Sequence, residues 1–120
     1  MSDEYVFVVD DDVDIRDSMR LLLEVAGFKV RSFTSARHFL ADNQPKHGCL
    51  IADVRMPDMS GLELQVEVTR RHIELPVIII TGFSTESSAI EAVNLGVAGY
   101  LTKPFRVPQV LAAAARALGE

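Results

Sequence analysis

Five short apolar runs, each separated from the next by enough chain for a helix, constrain what this sequence can fold into. They are Tyr5–Val9, Phe28–Phe33, Cys49–Ala52, Val77–Ile80 and Gly99–Leu101, and they are rich in β-branched residues. Such near-continuous hydrophobicity reads as strands covered on both faces, the condition of a parallel sheet. Parallel neighbours cannot be joined by a tight turn and need a crossover, normally a helix. The intervening segments supply candidates. Ile15, Met19, Leu22, Leu23 and Ala26 share one helical face, and Gly27 follows as a C-terminal stop. Ser35 is a candidate N-cap for a short helix carrying Phe39 and Leu40. Val107, Val110, Leu111, Ala114 and Leu118 form a further stripe, with Pro108 tolerated in the first turn.

One segment pulls the other way. Leu62–Thr69 alternates apolar and polar residues as a half-buried strand would. A parallel connection from Asp53 to Val77 nevertheless requires a crossover, and this is the only stretch able to provide it. It is therefore assigned as a helix. The expectation is β-α repeated five times: an open, parallel, five-stranded, doubly wound α/β sheet forming one domain over residues 1–120. With 120 residues, 48% of them apolar, the chain can bury one core and not two.

The remaining composition excludes several classes. A net charge of −5 argues against direct grip on nucleic-acid phosphates. The single cysteine, Cys49, allows no internal disulfide and fits a reducing compartment; it reads as a small core residue. The acidic start lacks the pattern of a signal peptide, and no apolar run approaches the ~20 residues of a membrane span. A cytoplasmic protein is expected. His38, His47 and His72 are scattered without metal-ligand spacing, and Arg70-Arg71-His72 reads as a basic helix end.

In an open parallel sheet, ligands bind beyond the carboxyl ends of the strands. Asp10, Asp11 and Asp12 follow the first strand, Asp53 ends the third, Thr81 follows the fourth and Lys103 comes just after the fifth. The fold would bring all of them to one rim. Carboxylates about 4 Å apart repel by roughly 4 kcal/mol at an effective dielectric near 20, so such a cluster calls for a cation. An all-oxygen set favours Mg²⁺, with Mn²⁺ as a substitute, and leaves positions for a phosphate oxygen. A lysine ammonium and a threonine hydroxyl suit the other phosphoryl oxygens. A central carboxylate can itself be the nucleophile, giving an acyl phosphate. Asp12 reads as a helix cap and electrostatic contributor.

These residues resemble the receiver domains of bacterial two-component response regulators over essentially the whole chain. Val8-Val9-Asp10-Asp11 is similar to the family's acidic pair, and Asp53-Val54-Arg55-Met56-Pro57-Asp58-Met59-Ser60-Gly61 to its phosphoacceptor loop. Ile80-Thr81-Gly82 resembles the switch-threonine segment and Lys103-Pro104-Phe105 the lysine turn. The wording is nearest to receivers of the nitrogen-fixation regulator type (FixJ-like). The resemblance implies a flavodoxin-like (βα)5 receiver fold in which Asp53 is phosphorylated by a sensor histidine kinase. It implies Mg²⁺ held directly by Asp11, Asp53 and the backbone carbonyl of Arg55, and by Asp10 through water. Thr81 and Lys103 would hold the phosphoryl oxygens, Tyr100 would be a rotating switch, and the Lys103-Pro104 bond would be cis. The face built from the fourth helix, fifth strand and fifth helix would then change shape. For Tyr100 the competing expectation is simple packing on the last helix.

Arg55 and Phe83 are candidates to gate water reaching the acyl phosphate, and Gly82 is small enough to leave the site approachable. FixJ-like receivers usually precede a DNA-binding domain, so transcriptional control through such a domain is expected. The alternative is a stand-alone receiver or a phosphorelay intermediate. A phosphorylation-dependent dimer through the last helices remains open. The protein is read as a switch and not as an enzyme acting on external phosphate esters, nor as a phosphorylation-independent scaffold.

Overall fold

The computed structural model describes residues 4–82 and 85–119. Five strands alternate with five helices: β1 (Tyr5–Val9), α1 (Val13–Val25), β2 (Val30–Phe33), α2 (Ala36–Ala41), β3 (Gly48–Asp53), α3 (Gly61–Arg70), β4 (Val77–Thr81), α4 (Glu86–Asn94), β5 (Gly99–Thr102) and α5 (Val107–Ala117). The strands form one all-parallel sheet in the order β2-β1-β3-β4-β5. This is the flavodoxin-like order, whose topological switch point lies between β1 and β3.

The pleat sorts the core into two halves. Phe7, Val9, Leu50, Ala52, Val77 and Ile79 face one side, where Phe39 of α2, Leu64 and Val68 of α3 and Ala92 of α4 cover them. Val6, Val8, Cys49, Ile51, Ile78 and Ile80 face the other, against Met19 and Leu23 of α1 and Val110 and Ala114 of α5. Burial on both faces explains why these strands read as unbroken apolar runs. Cys49 is fully buried, and burial pushes its thiol up to about 12.

The segment that alternates like a strand is a helix. In α3 the buried residues are Gly61, Leu62, Leu64, Gln65 and Val68, a helical face, whereas Val66 is 46% exposed. Ser60 and Glu63 close a capping box at its start: Ser60 Oγ accepts from Glu63 N–H at 3.1 Å and Glu63 Oε1 from Ser60 N–H at 3.0 Å.

Two expectations need correction. β2 begins at Val30, not at Phe28. The Phe28 N–H is donated to the Leu23 carbonyl and the Gly27 N–H to that of Glu24, closing a Schellman turn that spends Phe28 on ending α1. Val107 belongs less to the core stripe than its spacing suggests, being 49% exposed at the first residue of α5. The basic triplet does end a helix, with His72 at φ 56° in the left-handed position that closes α3, its N–H bonded to Thr69 and that of Ile73 to Val68. Arg70 and Arg71 both pair with Glu67, and these hydrogen bonds hold the Glu67 carboxyl at about 2. Among the described residues no helix is long and apolar enough to cross a membrane.

Candidate functional site

Sheet register sets the site. Val9 pairs with Ala52, Asp53 with Ile80 and Thr81 with Thr102, so β1, β3, β4 and β5 finish at one rim. Asp10 and Asp11 follow β1, Asp53 is the last residue of β3, Thr81 the last of β4, and Lys103 directly follows β5. Backbone bonds carry the alignment beyond the strands. Asp10 N–H reaches the Phe33 carbonyl (3.3 Å), Val54 N–H that of Ile80 (2.9 Å) and Lys103 N–H that of Thr81 (2.7 Å).

One carboxylate oxygen from each of Asp10, Asp11 and Asp53 lies within 4.8 Å of the others. Asp10 and Asp53 are buried, with 5% and 8% of their surfaces exposed, whereas Asp11 is exposed. At that spacing each pair repels by about 3–4 kcal/mol for an effective dielectric near 20. Burial raises the Asp10 carboxyl above its usual value, and the charges of Asp53 and Asp11 push the same way. The Asp12 amide and Lys103 oppose them. The cluster is all oxygen, partly buried and open to solvent through Asp11. That donor set fits a hard divalent cation better than a soft one.

Asp10 and Asp53 are held in place, as is Asp12 beside them. Asp10 Oδ1 accepts from Asp12 N–H at 2.9 Å, and Arg16 Nη1 donates to the Asp10 carbonyl at 2.8 Å. Asp12 caps α1, accepting from Asp14 N–H and Ile15 N–H. Asp53 Oδ1 accepts from Arg55 N–H at 3.1 Å, and Oδ2 accepts from Lys103 Nζ at 2.9 Å. The Lys103–Pro104 peptide is cis, as the family resemblance implied. Gly61 lets α3 start against the strand end. A Cβ there would lie 2.5 Å from the Asp53 carbonyl oxygen.

Thr81 is fully buried at the end of β4. Gly82 beside it leaves room, the nearest atom to an added Cβ among the described residues being Lys103 Cδ at 3.8 Å. The side chain of Arg55 is exposed and borders an open depression with Asp11, Val54 and Met56. Phe83 lies outside the described residues. Tyr100 is half-buried, and the structure corrects the alternative reading of its packing. The ring lies with the α2–α4 side of the core, and its hydroxyl is 3.2 Å from Ser88 Oγ in α4. Two participants, Arg16 and Ser88, left no signal in the sequence. Gly61 closes the loop that resembles the family's, and the structure adds its role against the Asp53 carbonyl.

The likeness to known proteins covers nearly the whole chain. Residues 6–115 match the family model described as the response regulator receiver domain. The transcriptional regulatory protein FixJ of Azorhizobium caulinodans is 44% identical over 115 residues, 95% of this chain and 54% of that protein. The transcriptional regulatory protein TdiR of Thauera aromatica is 41% identical over 94% of this chain and 50% of its own length. The chain thus spans about half the length of these relatives. Among solved structures, FixJ-N superposes with a TM-score of 0.91 at 37% identity, covering 100% of this chain and 97% of that one. Full-length FixJ from B. japonicum gives 0.89 at 36% identity, covering 99% and 59%. With its strand order, its rim of acids and these relatives in agreement, the chain belongs to the response regulator receiver domains of two-component systems.

Proposed function

We infer that the chain is a Mg²⁺-dependent switch in which Asp53 accepts a phosphoryl group from the phosphohistidine of a sensor kinase. The observation that carries this reading is the convergence of Asp10, Asp11 and Asp53 with Lys103 Nζ seated on Asp53 Oδ2. Asp11, Asp53 and the Arg55 carbonyl would hold the ion directly and Asp10 would hold it through water; Mn²⁺ offers the same oxygen chemistry. When bound, the ion neutralises the acids and the phosphoryl oxygens.

In the transfer, a carboxylate oxygen of Asp53 forms a bond to phosphorus while the phosphorus–nitrogen bond of the donor breaks. The imidazole leaves with the electron pair and is protonated. The product is an acyl phosphate on Asp53. Lys103 moves from the carboxylate to a phosphoryl oxygen, and the Thr81 hydroxyl donates to another. Tyr100 then turns, and the α4–β5–α5 surface changes shape. The activity is that of a phosphoacceptor, not of an enzyme turning over external esters. The relatives' description as transcriptional regulators supports a transcriptional output. In this reading it runs through a DNA-binding domain outside this chain, and the switch acts in the cytoplasm. The acidic balance of the segment fits a role that leaves DNA contact to another domain.

Intact-mass measurement after incubation with acetyl phosphate tests this. One added phosphoryl group is expected with Mg²⁺ and none with a chelator. No uptake in the presence of the metal would overturn the reading.

A further inference from the structure

The Tyr100 hydroxyl in β5 and the Ser88 hydroxyl at the third position of α4 lie 3.2 Å apart. Ser88 Oγ lies 3.1 Å from the Thr85 carbonyl, to which it can donate, and 3.1 Å from Thr85 Oγ1, from which it can accept. Either hydroxyl can be the donor in the Tyr100–Ser88 contact. Ser88 Oγ also accepts from the Thr85 N–H, and Thr85 Oγ1 accepts from the Ser88 N–H, each at 3.1 Å. The hydroxyl that meets Tyr100 is thus fixed within the capping box that starts α4. A half-buried tyrosine is an apolar ring with one polar tip, and the partner of that tip favours one ring position over others. Here that partner belongs to a neighbouring element, not to the strand that carries the ring.

We propose that Ser88 is a positioning residue that holds Tyr100 against α4, and so sets how much of the phosphoryl group's binding energy is spent on moving the ring. The inference rests on the reading of Asp53 as phosphoacceptor and Tyr100 as switch. Any ligand that favours the moved ring binds less tightly by the fraction of molecules held in the resting position. Removing the hydrogen bond from either side should relieve that cost equally.

The test is a mutant cycle read by calorimetric titration with beryllium trifluoride, a tetrahedral phosphoryl mimic, in the presence of Mg²⁺. Ser88→Ala and Tyr100→Phe should each bind it about 2- to 10-fold more tightly, the range one neutral hydrogen bond allows. The double variant should gain nothing over either single one. Tyr100→Phe leaves the capping box intact, so it keeps the test valid if Ser88→Ala weakens α4. The chain has no Trp and two Tyr, so in a Tyr5→Phe background the emission comes from Tyr100 alone. In that background Ser88→Ala should shift the emission in the direction that beryllium trifluoride shifts the parent. Equal effects of Ser88→Ala with and without the Tyr100 hydroxyl would mark a helix cap and overturn the proposal, as would unchanged affinity in either single variant. Absence of binding by the unmodified chain would instead overturn the phosphoacceptor reading itself.

Discussion

Lys103 Nζ donates to Asp53 Oδ2 at 2.9 Å, an ion pair joining the turn after β5 to the end of β3 across a span of 50 residues. The lysine side chain is 23% exposed and the aspartate side chain 10%. It supplies the positive charge that offsets the neighbouring acids and stands where a phosphoryl oxygen would arrive.

Lys103→Gln should therefore affect two measurements in opposite directions. Loss of a positive charge beside three acids should tighten Mg²⁺ binding a few-fold, since the cation no longer meets a like charge. Loss of a charged donor to the transferring group should slow phosphoryl uptake about 10- to 100-fold. Calorimetric Mg²⁺ titration and the rate of mass gain from acetyl phosphate measure the two separately.

Asp10 carries a carboxyl raised by burial first and by the charges of Asp53 and Asp11 next. An acid raised on folding stabilises the fold at pH below its unfolded value of 3.8, and that contribution is lost as pH rises through the raised one. In metal-free buffer, Asp10→Asn should match the wild type at acid pH and exceed it near neutrality. The gain should be on the order of 1 kcal/mol, because the Asp12 amide and Lys103 offset much of what burial and the two acids impose. With Mg²⁺ the order should reverse. Thermal unfolding over a pH series, with and without the metal, gives the comparison.

Two glycines near the site should respond differently to the same change. Gly61→Ala places a Cβ 2.5 Å from the Asp53 carbonyl oxygen and 3.2 Å from Ile79 Cδ1. It should cost about 1–3 kcal/mol in denaturant unfolding and weaken Mg²⁺ binding, because the strand end bearing Asp53 has to shift. Among the described residues Gly82→Ala meets nothing closer than 3.8 Å, and it should leave both measurements nearly unchanged.

His72 occupies a left-handed position with φ 56° where the other Schellman turns use Gly27 and Gly96. His72→Gly should raise stability by about 1 kcal/mol, read as a higher denaturation midpoint with unchanged slope.

The sheet and the site were legible in the sequence for a shared physical reason. Strands buried on both faces are apolar throughout, so Val77–Ile80 stands out, and the first polar residue after each run falls on the rim. Asp10, Asp53 and Thr81 are thus found by where the apolar runs stop, and Lys103 lies two residues beyond Leu101. Side-chain partners between distant elements leave no such trace. Arg16 on the Asp10 carbonyl and Ser88 on the Tyr100 hydroxyl each depend on the relative placement of elements, which no local pattern encodes. The alternation in α3 misleads because Gln65 is buried in place of Val66, its Nε2 donating to the Leu95 carbonyl at 3.0 Å. Phe28 is as apolar as any strand residue, and its assignment to the end of α1 follows from the Gly27 turn.

All of this depends on one carboxylate being the acceptor among several within reach. Borohydride reduces an acyl phosphate to the alcohol, converting the modified aspartate to homoserine, and peptide mapping then locates it. After treatment with acetyl phosphate and Mg²⁺, conversion is expected at position 53 alone, with none in Asp53→Asn. Conversion at Asp10, Asp11 or Asp12 in the unmodified chain would contradict it.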